Sequence, residues 1–332
     1  MGVRQRSLRD RRAAGHERRV PVGPGAQRGT RHVEDLTPGR STSGALLVLV
    51  SAATFGTMPI LAKFAYAAGL TPLQILAFRF VIAAVLLGAV ALLAGHNPLR
   101  AGPRILPLFL VGAILYAGMA GAFFAALTVL PASLAELIAY LYPALVAVGS
   151  WLIFGERLGR RLVVALVVSF AGLAVLVGGA AVRGGWPLLL AFAAPVLYAG
   201  YVLASERLTR GVPAVASSAL VHAGAGLTFA IALLVLGPRA LPVSASAWGI
   251  IAVIAVVPSM VGISLLLAGI ARTGATRAAL LSTIEPVVTL VLAATLLGDR
   301  LSGPQLGGAG MVLAAVLLMQ WRRREPIPLL QP

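Results

Sequence analysis

Ten apolar runs, each about the length needed to cross a bilayer, constrain this chain more than any other feature. They fall at 44–64, 72–94, 105–127, 132–153, 161–180, 187–204, 215–236, 247–270, 276–297 and 304–321, the sixth being the shortest. A helix rising about 1.5 Å per residue crosses the hydrocarbon core in roughly 20 apolar residues. Lipid offers no partner to backbone N–H or C=O groups, so runs of this length must satisfy their own ladder as helices. The breaks between them carry Gly, Pro and Arg, as in "GHNPLRAGPR", "LTRGVP" and "GDRLSGP". The chain is 59% hydrophobic and 11% charged, too little charge to cover a soluble domain. The expected fold class is an all-α polytopic membrane protein with ten transmembrane helices.

Charge placement sets the expected direction. With the N-terminus inside, the inner loops hold Arg100, Arg104, Arg157, Arg160, Arg161, Arg207, Arg210, Arg272 and Arg277. The outer loops hold Lys63, Arg183, Arg239 and Arg300, so nine basic residues face four. Both termini then lie in the cytoplasm. The net charge of +17 is carried in good part by ten basic residues within positions 1–40. That Arg-, Gly- and Pro-rich stretch, 1–43, holds too few aliphatic residues to fold alone. It reads either as a disordered cytoplasmic tail near anionic headgroups or as the product of an upstream start codon. A short cytoplasmic tail, 322–332, closes the chain.

One pattern is stated twice. "LYPALVAVGSWLIFGERL" at 141–158 and "IEPVVTLVLAATLLGDRL" at 284–301 align without a gap at an offset of 143. They end spans four and nine. Five spans separate them, an odd number, so the second copy enters the membrane in the opposite sense. The expected organisation is two inverted five-helix repeats, 44–180 and 187–321, with a central cavity at their interface. The same offset sets Arg79 opposite His222.

The doubled "P…GERL/GDRL" ending, the ten spans and "ARTGATRAALLS" resemble the drug/metabolite transporter superfamily, and within it the EamA-like transporters. The resemblance covers about 44–321. The first half departs from it with "YP" where the second has "EP". It implies a ten-helix fold and secondary transport of small organic molecules, such as amino acids, other metabolites or drugs, with export favoured.

Ionisable groups inside a membrane are costly and usually face a cavity or a partner. Four stand out: Arg79, Glu136, His222 and Glu285. Arg79 and Glu136 lie at similar depth and are expected either to orient a solute or to pair with each other. Glu285 precedes Pro286, whose missing N–H kinks the helix, as Pro143 does in the first copy. Glu285 is a candidate cargo ligand or proton carrier, or else a packing and gating element. His222 is a candidate coupling group or a packed histidine. Tyr140 lies one turn from Glu136, and Tyr116 and Tyr198 also fall within spans, so these tyrosines line a pocket for an amphipathic solute or pack neighbouring helices. Glu156 and Asp299 are read as pairing locally with Arg157 and Arg300.

No cofactor is expected. The chain has no cysteine, its four histidines are scattered, and no phosphate-binding loop is present. The expected partners are a small-molecule substrate, membrane lipid and, through Glu136 or Glu285, a proton, but no nucleic acid. The rival readings are a passive facilitator of the same fold and, more remotely, a membrane-embedded enzyme or lipid-handling protein.

Overall fold

The computed structural model describes residues 38–155, 160–178, 185–237, 244–282 and 284–320. Residues 1–37, Glu156 and Arg157, Arg183, Arg239 and the 321–332 tail lie outside the described residues. So does the local pairing read for Glu156.

Among the described residues every regular element is helical. The first repeat runs α1 (Pro38–Phe55), α2 (Met58–Ala67), α3 (Pro72–Leu93), a 3₁₀ turn (Pro98–Arg104), α4 (Ile105–Val111), a π turn (Gly112–Tyr116), α5 (Ala117–Leu127), α6 (Ala132–Ala139), α7 (Tyr142–Phe154) and α8 (Arg160–Gly178). The second runs α9 (Trp186–Leu208), α10 (Ala214–Leu236), α11 (Ala245–Ile254), a π turn (Ala255–Gly262), α12 (Ile263–Thr273), α13 (Ala275–Leu281), α14 (Ile284–Leu292), a π turn (Ala293–Leu297) and α15 (Gly303–Gln320). Eight of the resulting segments are long and apolar enough to cross a membrane, and α8 holds a shorter apolar helix, Val163–Gly172, while α15 is a further helix of 18 residues.

Local chemistry explains the ends. Thr71 and Gln74 form a reciprocal capping box ahead of α3, with Pro72 in the first turn where its missing N–H is not needed. α9 is longer than the run at 187–204, reaching Leu208. The added turn places Arg207 over the Phe154 ring, 4.3 Å from its centre, so its charge does not have to enter lipid.

The packing is reciprocal. α10 lies against the first π turn and α3 against the second, and these two turns begin 143 residues apart, at Gly112 and Ala255. α3 also packs along α10, and α8 along α15. α5 packs on α9; in the matching contact Gly269 of α12 lies close to Val48 of α1, and Ser51 Oγ donates at 2.7 Å to the carbonyl of Gly262, at the end of the second π turn. Glycine makes the tightest approach possible: a Cβ at Gly112 would overlap the Val221 carbonyl, and one at Gly224 the Phe109 carbonyl. Pro258, unable to donate, sits in the second π turn. Its counterpart in the first is Leu115, so proline is not the shared cause.

Large apolar side chains face outward, among them Leu93 (89% exposed), Leu234 (86%) and Leu236 (79%). A surface of this kind requires a non-aqueous neighbour. Trp151, Trp186 and Trp248 are also on the surface.

Candidate functional site

Three interrupted helices meet at one place. The chain breaks between α1 and α2 at Gly56–Thr57, between α6 and α7 at Tyr140–Leu141, and between α13 and α14 ahead of Ile284. Pro59, Pro143 and Pro286 each lie in the opening turn of the helix that follows, where a fixed φ and a missing N–H do no harm. The first break has no counterpart in α9, which runs on through Pro195. It is held against α14: Thr289 Oγ1 donates to the Gly56 carbonyl at 2.9 Å, and Gly56 lies close to the Glu285 carbonyl and the Val288 side chain. α2, α6 and α14 are in mutual contact.

The breaks open onto a narrow cavity of about 70 Å³. Arg79, Tyr116, Glu136, Tyr140, Tyr198 and Glu285 all line it, although they come from α3, the first π turn, α6, the α6–α7 break, α9 and α14. Phe55, Met58, Met119, Phe123, Phe124 and Tyr142 complete most of the wall. Met58, Met119, Phe123 and Phe124 had no sequence signal beyond lying within apolar runs. Glu285 sits in the first turn of α14, where the helix dipole favours a carboxylate.

Of the two readings of Arg79, the ion pair with Glu136 is not formed. Its guanidinium donates to Met58 Sδ at 2.9 Å and lies 4.2 Å from the Phe80 ring centre and 5.0 Å from that of Phe124. It lines the same cavity as Glu136, yet no ion pair joins them. Two aromatic faces and a polarisable sulfur stabilise the buried cation instead.

His222 stands behind the wall and does not line the cavity. It is fully buried on α10, its Nδ1 is 2.9 Å from the Ser218 carbonyl oxygen, and its ring meets Phe80 and Tyr116 at 5.5 and 5.7 Å. Arg79 and His222, equivalent in the two repeats, both touch Phe80.

The tyrosines form a continuous ring chain. Tyr140 meets Tyr142 at 5.6 Å, Tyr142 meets Tyr198 at 4.6 Å, Tyr198 stacks on Tyr201 at 5.9 Å, and Tyr201 stacks on Tyr116 at 4.8 Å. Cavity lining and helix packing are thus performed by the same rings.

Asp299 acts across the repeats, not locally. Its Oδ2 accepts from Ser133 N–H at 3.2 Å and from Ser133 Oγ–H at 3.1 Å, at the start of α6. The residue capping α6 is Pro131, which supplies no side-chain bond, so a carboxylate from the other repeat does that work. Alongside, Lys63 Nζ donates to the Leu130 carbonyl at 2.8 Å. The pairing with Arg300 expected for Asp299 is replaced by this contact.

The profile of the EamA-like transporter family matches twice, over residues 42–178 and 185–321. The chain belongs to the EamA-like transporter family. A Bacillus subtilis (strain 168) protein described as the uncharacterized transporter YcbK is 28% identical over 308 residues, covering 85% of this chain and 94% of that one. A solved crystal structure, 24% identical, superposes with a TM-score of 0.67 over 84% of this chain and 96% of its own, a likeness of fold. The EamA-like assignment, the outward apolar side chains and the long apolar helices make this a multi-pass membrane transporter.

Proposed function

We propose that this EamA-like chain is a secondary transporter, an exporter of small organic metabolites such as amino acids or drugs, working by alternating access in the cell membrane. In this reading α8 and α15 complete ten spans in two inverted five-helix repeats, with both termini cytoplasmic. The reciprocal contacts of α3, α10 and the two π turns support that symmetry, as does the Lys and Arg bias of the short loops. The observation that carries the proposal is the convergence of Arg79, Glu136 and Glu285 with tyrosines of both repeats on one cavity beside interrupted helices. Half-helices and unwound backbone of this kind serve as ligand sites in transporters built from inverted repeats.

The cavity lies between the repeats, so rocking one against the other would expose it to either face. The Asp299–Ser133 contact ties the repeats together on the face assigned as external and acts as the closing contact there, with the Lys63–Leu130 bond of the first repeat beside it. Cargo and coupling ion compete for Glu136 and Glu285.

Cargo is identified by comparing metabolites between cells with and without the protein. Its flux is then measured in proteoliposomes under an imposed pH gradient. Concentrative, gradient-dependent flux that is lost in both Glu136→Gln and Glu285→Gln supports proton coupling. Counterflow without concentrative uptake, unchanged in both variants, establishes the facilitator reading instead.

A further inference from the structure

We propose that the second cavity, between the α3–α4 connection and the start of α10, binds a phosphate group, that of an anionic phospholipid. It shares no lining residue with the central cavity, and the proposal stands whether or not that cavity carries cargo.

Placement is the first argument. The cavity measures about 470 Å³, several times the central one. Its wall is made where helices end: from Gly95 to Arg104 after α3, from Gly211 to Pro213 after α9, and at Ala216 in the first turn of α10. The ends of membrane-spanning helices lie at the level of the lipid headgroups. Leu92, Leu93, Leu99 and Leu106, which flank the lining residues in the chain, are all more than half exposed. Outward apolar side chains beside a polar cavity suit a ligand with a charged head and acyl chains.

Charge is the second. Arg100 and Arg104 line the cavity with His96 and Asn97, and among the described residues no Asp or Glu does. Glu206, near the α9 side of the wall, is engaged by Arg210 at 3.3 Å. Arg100 is exposed, and among the described residues no carboxylate pairs with it. Basic residues between helices on the face assigned as cytoplasmic recognise phospholipid headgroups. Topology alone calls for arginines on this face, but not for their convergence on one concave wall built by both repeats.

The arginines are also held in place. Arg104 Nη1 donates to the Arg210 carbonyl, across the repeats. Gly211 follows at φ 74°, a left-handed turn that glycine adopts freely, and a Cβ there would lie 3.3 Å from Arg104 Nη1. That bond uses one of the five guanidinium donors; the others form a fork suited to phosphate oxygens. Asn97 Oδ1 accepts from Leu99 N–H at 2.9 Å and fixes the turn that carries Arg100. The positive end of α10, reached through Pro213 and Ala216, adds to the attraction.

The test measures dissociation constants by native mass spectrometry on the purified full chain in dodecyl maltoside. The probes are dioleoyl phosphatidylglycerol and dioleoyl phosphatidylcholine, which share acyl chains and a phosphodiester but differ in net charge. Phosphatidylglycerol is expected to bind about tenfold tighter. Arg100→Gln and Arg104→Gln each weaken it about fivefold, whereas Arg272→Gln, an arginine on the same face outside the cavity, changes nothing. Thermal unfolding without lipid checks the fold of each variant, and exposed Arg100 carries the test should Arg104→Gln unfold. Inorganic phosphate separates the two sources of the group. Displacement of phosphatidylglycerol only by a large excess of phosphate supports the lipid, and displacement by an equimolar amount overturns it in favour of a soluble phosphate ligand. Equal affinity for the two lipids, or an equal loss in Arg272→Gln, overturns the site.

Discussion

Asp299→Ala gives the sharpest test of how the repeats close. The carboxylate accepts two hydrogen bonds from Ser133, 3.2 Å from its N–H and 3.1 Å from its hydroxyl, and caps a helix whose own capping residue is a proline. Losing a helix cap costs about 0.5–2 kcal/mol, and hydrogen bonds to a charged group are worth about 1.5–3 kcal/mol. Asp299 itself is only partly buried, which discounts the upper figures, so about 1.4 kcal/mol is a fair value for the contact as a whole. That is about tenfold in an equilibrium constant. The contact joins the repeats, and in the proposed alternating-access cycle it is broken when that face opens. The substitution therefore shifts the balance toward opening by about tenfold while the open form is the minor one. The chain has no cysteine, so a cysteine placed at Ala120 on the cavity wall is a clean probe. Maleimide labelling from the face bearing Asp299 is expected to speed up by about tenfold, and labelling from the other face to slow or stay level. Asp299→Asn, which keeps an acceptor without the charge, falls between. Exposed Arg300, outside the contact, gives no change when replaced by Ala. Equal acceleration from both faces indicates general loosening, and unchanged labelling shows that the contact does not gate; either result refutes the argument.

Other outcomes follow from the packing. Gly112→Ala drives a Cβ into the Val221 carbonyl, a backbone group that cannot swing away, so its unfolding midpoint should fall by the upper end of the roughly 1–3 kcal/mol of overpacking, whereas Gly307→Ala, with open space at its Cβ, leaves the midpoint unchanged or slightly raised. Arg79→Lys should lower thermal stability by about 1–2 kcal/mol despite conserving charge, because an ammonium cannot stack as a planar guanidinium does on Phe80 and Phe124. Thr289→Val removes the bond to the Gly56 carbonyl and should cost about 1 kcal/mol, read as a lower unfolding midpoint and faster hydrogen exchange at the α1–α2 break.

Much of the architecture was legible before any coordinates. Among the described residues the ten apolar runs fall on helices, three of them interrupted, and the 143-residue offset that aligns the two motifs also relates the π turns at Gly112 and Ala255 and the breaks before Pro143 and Pro286. The reason is local: in lipid each segment must satisfy its own backbone, so helix formation depends on hydrophobic length and punctuation within the segment. The interruption at Gly56 was less legible, because its closest equivalent, in α9, stays continuous.

The six substrate-site candidates carry chemistry that is costly or purposeful inside a membrane, and all six line one cavity. Their individual partners were not legible. Arg79 and Glu136 share depth, yet the guanidinium turns to Met58, Phe80 and Phe124. His222 shares a repeat position with Arg79, yet lies behind Phe80. Asp299 is followed by Arg300, yet reaches Ser133 on α6.

The sequence alone determined where the chain is helical and how its halves correspond, because length, polarity and spacing are properties of each segment. Tertiary structure decided which faces meet, because rotation about each helix axis is set by close approaches such as Gly112 on Val221 and Gly224 on Phe109, between residues more than a hundred positions apart. Contact between such distant side chains depends on those rotations, and no single segment encodes them.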